Sequence, residues 1–227
     1  MQAVKVTARL ANELIGAAPQ LDALLVKARC RFVPPAGPHE RYDPAPAFET
    51  MPPIPIHREM FGGWLVHRCS SPILDTADSD RHQRIGQHFP RELAMHLEPS
   101  ERGVIATTNG PQKSMYLPVR MRLVRRVVWF ALLHERPARL RAELKRSVTY
   151  IGQDRSRGGG RVAEWTVEPV EHDWSWFAPH QQGTVLMRQL PWCDALPKDL
   201  IGYVRDFDAV TPPYWHPQRK TNAVRPV

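Results

Sequence analysis

Residues 149–170 read TYIGQDRSRGGGRVAEWTVEPV. Tyr150 and Ile151 close a basic segment, the glycine-rich loop from Gly152 to Gly160 carries Arg155, Ser156 and Arg157, and an alternating strand starts at once. In that strand Ala163, Trp165 and Val167 alternate with Glu164, Thr166 and Glu168, which predicts one core-facing side and one wet side. Gly158, Gly159 and Gly160 have no Cβ, so another molecule can approach the main chain closely and reach unshielded amide N–H groups. Arg155, Arg157 and Arg161 add fixed charge and forked donors that suit phosphate oxygens, and Ser156 adds a hydroxyl. The expectation is a backbone-built anion site, although the same run also fits a plain connection between elements. No Gly-Lys-Ser/Thr follows, and the glycines precede a strand rather than open a helix, so nucleotide hydrolysis and hydride transfer lose support.

Working outward, Glu135 to Arg146 predicts a helix. Pro137 suits its first turn, Leu140, Leu144 and Val148 form an apolar line, and Arg136, Arg139, Arg141, Lys145 and Arg146 fill the remainder. Leu117 to Leu132 carries the strongest strand signal, and its change of pattern at Val124 to Arg126 predicts a bulge or a tight hairpin. Arg120 and Arg122 make either a basic stripe on an exposed sheet face or a solvated face. At the start of the chain Val4, Val6, Ala8 and Leu10 alternate with Lys5, Thr7 and Arg9, as in a half-buried strand. LDALLVKA (21–28) then places Leu21, Leu24, Leu25 and Ala28 at helical spacing.

Prolines from Pro34 to Pro55 are too frequent for regular structure and predict a surface connection. REMFGG (58–63) reads as a hairpin turn between Ile54–His57 and Trp64–His67, with His57 and His67 facing each other. Leu74 to Asp80 is polar and acidic, RHQRIGQHFPRELAMHLEP (81–99) after it reads as a solvent-exposed basic insertion, and Gly103 to Lys113 as a Gly-Pro-punctuated approach to the sheet. His82, His88 and His96 form no i, i+4 pair with a carboxylate partner, so no metal is expected. Beyond Asp173 the chain is rich in Trp, Pro and His. Trp215 beside Arg219 and Lys220 suits base stacking, but the preferred reading is that such residues pin the tail to the domain.

The chain has 227 residues, 42% of them hydrophobic, enough for one good core. Lys and Arg outnumber Asp and Glu 31 to 23, a formal charge of +8, which favours a polyanionic partner: nucleic acid first, a membrane surface second. No apolar run reaches spanning length and MQAVKVTARLANELIGAAP lacks a signal-peptide layout, so a cytoplasmic protein without membrane contact is expected. Cys30, Cys69 and Cys193 are far apart, with no CxxC pair, and read as reduced packing residues. No nucleophile–base arrangement or paired carboxylate stands out, and no cofactor is called for.

Strand–helix–strand followed by strand–helix, glycine-rich loop and strand is similar to the ferredoxin-like (RRM-like) α+β layout of the RAMP superfamily of CRISPR proteins. Ile151-Gly152, Arg155-Ser156, Gly158, Gly160-Arg161-Val162 and Trp165, with the preceding basic helix and the later PPYW, resemble the type IV CRISPR-associated RAMP protein, the Cas5-type subunit. The resemblance is densest over Ser147 to Val170. It implies one RAMP domain over residues 1–227 with an antiparallel sheet, a thumb-like insertion within 75–114, and a C-terminal extension over 171–227. It further implies a non-catalytic role: binding the 5′ handle of the guide RNA (crRNA), capping a Cas7-type backbone subunit, and lying beside a large, Cas8-like subunit where target DNA is engaged. Gly152, Arg155, Ser156, Arg157, Gly158, Gly159, Gly160 and Arg161 are then the expected RNA contacts, with Arg9, Lys113, Arg120 and Arg122 on the sheet face or its rim and bases splayed on that face. The competing expectation is a metal-independent endoribonuclease acting on precursor guide RNA, for which Tyr150, His134 and Lys145 are the nearest acid–base groups.

Overall fold

The computed structural model describes residues 1–30, 52–87, 115–152, 159–214 and 216–227, excluding the side chains of residues 30, 76–87 and 115–123. β1 (Gln2–Leu10) alternates as its sequence dictates, with Val4, Val6 and Ala8 fully buried. A short turn leads to β2 (Leu14–Ile15) and then to α1 (Leu21–Cys30), whose Leu21, Leu24, Leu25 and Ala28 face the core. The hairpin β3 (Arg58–Phe61) and β4 (Trp64–His67) precedes the long antiparallel pair β5 (Ile73–Gln87) and β6 (Met115–Leu133). α2 (Pro137–Ser147) and β7 (Val162–Pro169) complete the first unit.

β6 is the pivot of the main sheet. Its residues 126–133 pair with β1, its Met121 and Arg122 pair with β2, and β5 runs antiparallel along its other edge. β7 pairs antiparallel with the outer side of β1. The spatial order is therefore β5-β6-β1-β7, antiparallel throughout, for a chain order β1-α1-β5-β6-α2-β7. That βαββαβ arrangement, a mixed α+β fold, is compatible with a ferredoxin-like fold. Both helices contribute to one core with the inward side chains of β1, β6 and β7, centred on Trp129, which is fully buried and stacks on Trp165 at 5.9 Å. Arg29 clamps Glu143 with two hydrogen bonds of 2.6 and 2.7 Å and so ties α1 to α2.

The break in pattern at Val124–Arg126 is a β-bulge. Thr76 pairs with Val124 and Asp75 with Arg126, which leaves Arg125 as the extra residue. A second bulge corrects the reading of β7. Arg9 pairs with Glu164 but Leu10 with Val162, so Ala163 is skipped and exposed while Val162 packs on the core. The hairpin also differs from its sequence reading. REMF is itself the first strand, closed by a two-residue turn at Gly62 and Gly63 with both φ angles positive, and Arg58 rather than His57 stands opposite His67.

The remainder adds β8 (Phe177–His180), β9 (Gly183–Leu186), β10 (Leu190–Pro191), β11 (Leu200–Ile201), β12 (Tyr203–Ala209) and β13 (Lys220–Pro226). They form two three-stranded sheets, β11-β9-β8 and β10-β13-β12. A second core of Phe61, Val66, Trp176, Leu186, Leu190 and Val224 joins these strands to the β3–β4 hairpin. Asp75–Gln87, the first part of the expected insertion, lies in β5. Residues 88–114, including Lys113, and the proline-rich stretch 31–51 lie outside the described residues.

Candidate nucleic-acid interface

The strand order brings the end of α2, the start of β7 and the β1–β2 turn together at one place. Tyr150 bridges Arg161, Ile151 N–H donates to Gly160 O at 2.9 Å, and Val162 N–H donates to Thr149 O at 2.8 Å. These contacts make a short stem under the glycine-rich loop. The stem is docked on the β1–β2 turn, since Gly160 N–H donates to Glu13 O and Ala11 N–H to Arg161 O, both at 2.8 Å. Arg161 N–H donates to Asn12 Oδ1 at 2.7 Å.

The described glycines serve this docking. Gly160 has φ +66°, and a Cβ there would lie 1.9 Å from Ile151 O. Added Cβ atoms at Gly152 and Gly159 would approach Ile15 O to 2.8 Å and Ile15 Cδ1 to 2.4 Å. The amides of Gly160 and Arg161 are consumed by the protein itself, which corrects the expectation that they face a phosphate: a stem pressed against β2 needs those donors for its own hydrogen bonds. Arg155, Ser156, Arg157 and Gly158 lie outside the described residues.

Basic side chains line two hollows beside the stem. Arg9, Arg141 and Lys145 line a hollow between α2 and β7, floored by Val148, Val162 and Trp165, with Glu164 at its rim. Trp165 is fixed there by its Nε1–H, donated to Val148 O at 2.9 Å, and its own carbonyl accepts from Arg141 Nε at 3.0 Å. Glu164 pairs with Arg9 at 3.3 Å in an exposed contact worth little in water. On the other side of Val148 and Thr149, Lys27 and Tyr150 line a second hollow between the helices. Arg161 is exposed beside the stem, and Lys145 and Arg146 at the last turn of α2 also suit its dipole. This arrangement can hold anionic oxygens along a track from α2 to the loop stem.

The open face of the sheet departs from expectation. Lys5, Thr7, Arg9, Arg126 and Val128 stand beside Asp75, Glu164, Thr166 and Glu168, so cations and carboxylates are matched and the lining has no aromatic ring among the described residues. Phe130, one pair further along, is buried under Trp174 at 5.0 Å in an edge-on contact. The C-terminal segment thus takes the ring that could have stacked a base. Arg120 pairs in the backbone ladder with His82, and Arg122 with Asp80 and Leu14; their side chains are outside the description.

The groups of the ribonuclease reading are not brought together. His134 precedes α2 while Lys145 and Tyr150 stand at its far end, about 16 Å away for eleven residues of helix. His172 is exposed, and its neighbour Asp173 is bonded to Arg68 and to Ser175 N–H, so the two make no dyad. Among the described residues no group of His, Cys, Asp or Glu could hold a metal ion. No described helix is long and apolar enough to cross a membrane.

The sequence reading missed a buried polar cluster that joins the two units. Asp22, fully buried at the start of α1, accepts from Arg188 Nη2 at 2.7 Å, from His67 Nδ1 at 3.1 Å and from the Tyr214 hydroxyl at 2.9 Å. Burial raises the Asp22 pKa, but the Arg188 guanidinium, with His67 and Tyr214, outweighs it and holds the carboxyl well below the usual range. Arg188 also donates to Cys69 O at 3.0 Å and to Cys69 Sγ at 2.8 Å. Burial pushes the Cys69 thiol up to about 12, so it stays a protonated, unreactive packing group. Tyr214 belongs to the PPYW segment expected to pin the tail; its neighbour Trp215 lies outside the described residues. An arginine set among apolar residues in VLMRQL (185–190) was the available signal, because a lone charge in such a run needs a buried partner.

Compared with known proteins, the chain matches no family model, and no curated protein matches it.

Proposed function

We propose that this chain is a non-catalytic guide-RNA-binding subunit of the Cas5 type, in a type IV CRISPR effector. The observation that carries the reading is the docked glycine stem at the end of α2, with Arg9, Arg141 and Lys145 in the hollow beside it and Arg161 exposed within it, on a βαββαβ scaffold. A net charge of +8 agrees with it. In this reading the cations beside the stem neutralise phosphates of the 5′ handle, and Arg155, Ser156 and Arg157 reach the strand from the loop. The long β5–β6 pair and the segment it encloses grip a Cas7-type backbone subunit. A large, Cas8-like subunit and target DNA meet the protein in the assembled complex. The matched charges on the open sheet face favour the hollow by α2 over that face as the RNA track.

The test is binding of labelled 5′ handle and of a scrambled RNA of equal length, in EDTA, by wild type and by Arg155→Ala/Arg157→Ala. The expected result is about tenfold or greater preference for the handle, weakened in the variant, with the RNA intact. Equal binding of both RNAs by both proteins contradicts the reading, and cleavage of the handle transfers it to the ribonuclease alternative.

A further inference from the structure

A second cluster of aromatic and cationic side chains lies far along the chain from the glycine loop, on the β10-β13-β12 sheet. The backbone N–H of Trp192, just past β10, donates to Asn222 O at 2.8 Å, and the residue is 42% exposed. The Arg205 guanidinium lies over its ring, 3.6 Å from the centroid, and Tyr203 stacks beside it at 6.4 Å with 30° between planes. Phe207, two residues beyond Arg205 on the same face of β12, is 63% exposed. Its cross-strand neighbour is Asn222, also exposed. A single exposed ring is ordinary, but an exposed Trp against a half-buried Tyr, with an Arg over its ring and an exposed Phe on the same strand face, makes an aromatic surface anchored to a paired sheet.

The charges decide what it fits. Strand alternation puts Tyr203, Arg205 and Phe207 on one face, and Asp206 and Asp208 on the other, where Asp206 pairs with Arg225 at 3.1 Å. The aromatic face therefore carries two cations, Arg205 and Lys220, and an amide but no carboxylate from β12 or β13. A basic peptide finds no counter-charge on β12 or β13, whereas an unpaired nucleobase finds the outer plane of the Arg205 guanidinium, itself seated on Trp192, and the exposed Phe207 ring to stack on, forked N–H donors at Arg205 for its phosphate, and an amide at Asn222. We propose that Trp192, Tyr203, Arg205 and Phe207 form a stacking platform for unpaired bases of a single-stranded nucleic acid. The proposal rests on the nucleic-acid reading of this basic chain and not on the glycine loop.

The probes are labelled oligouridylate and oligothymidylate, each against a blunt duplex of equal length, titrated with the full chain and its Phe207→Ala, Trp192→Ala and Trp192→Phe variants. Phe207 packs little, so its variant keeps the fold and tests the platform cleanly. Each alanine substitution is expected to weaken single-strand binding about tenfold, to leave duplex binding unchanged, and to be largely reversed at position 192 by phenylalanine. Stronger binding of the RNA assigns the platform to a guide strand, and of the DNA to a displaced strand; either ranking supports it. Wild-type single-strand affinity in both alanine variants overturns the proposal and leaves the patch to a protein partner, and equal losses on single strand and duplex overturn stacking. Oligouridylate carries no handle sequence, so failure of handle preference and failure of the platform are separate results.

Discussion

Asp22 is the residue on which the joint between the two units depends. It receives a guanidinium, an imidazole and a phenol from three separate segments, and Asp22, Arg188 and His67 are out of water, so solvent cannot readily replace a lost partner among them. Asp22→Ala leaves Arg188 as an uncompensated buried charge and is expected to cost about 3–5 kcal/mol, read as a lower denaturant midpoint at neutral pH. The pH dependence follows from the lowered carboxyl pKa. The folded value lies below the unfolded value of about 3.9, so the stabilisation is fully present above that pH and is lost as the pH falls through and below it. Thermal unfolding of wild type from neutral pH down to acid should therefore steepen below about pH 4, and Asp22→Asn should flatten that part of the curve. A variant with the same acid limb as wild type would remove Asp22 as its source.

Among the elements, the glycine stem makes the sharpest demand on sequence. Alanine at Gly63, also at positive φ but with nothing within 4 Å of an added Cβ, is expected to cost about 1 kcal/mol for backbone strain alone. Alanine at Gly160 adds a collision with Ile151 O and should cost about 2–5 kcal/mol, measured by urea unfolding of both variants. Equal costs would mean that the stem is not packed as described. The regular elements were legible because their periods are strong: Val4-Val6-Ala8-Leu10 for β1, Leu21-Leu24-Leu25-Ala28 for α1, Leu140-Leu144 for α2. The two bulges differ instructively. Arg125 disturbs a long alternation visibly, whereas Ala163 sits beside Val162 with no chemical contrast, so only pairing with β1 reveals which of them faces inward. The β3–β4 hairpin was displaced in the reading because Arg58, Glu59 and Met60 are all exposed and show no alternation. The charge balance of the open sheet face was out of reach for another reason. It depends on Asp75, Arg126 and Glu164 meeting from three strands, and register is not written in any one of them.

At the scale of the whole molecule, a βαββαβ unit is buttressed by a strand-rich half that takes Phe130 from the open sheet face and shares the β3–β4 hairpin. Cations outnumber carboxylates in the hollow beside α2 but are matched by them on the open sheet face, and this difference favours the hollow as the proposed RNA track. Each phosphate neutralised on a single strand contributes about −0.7 to the slope of log affinity against log salt, so the track can be counted. The most direct measurement is that slope for the 5′ handle, with wild type, Arg141→Gln/Lys145→Gln and Lys5→Gln/Arg126→Gln. The expected result is a slope shallower by about 1.4 for the pair beside the stem and an unchanged slope for the pair on the open sheet face. An unchanged slope in the first variant, or an equal loss in the second, would contradict it.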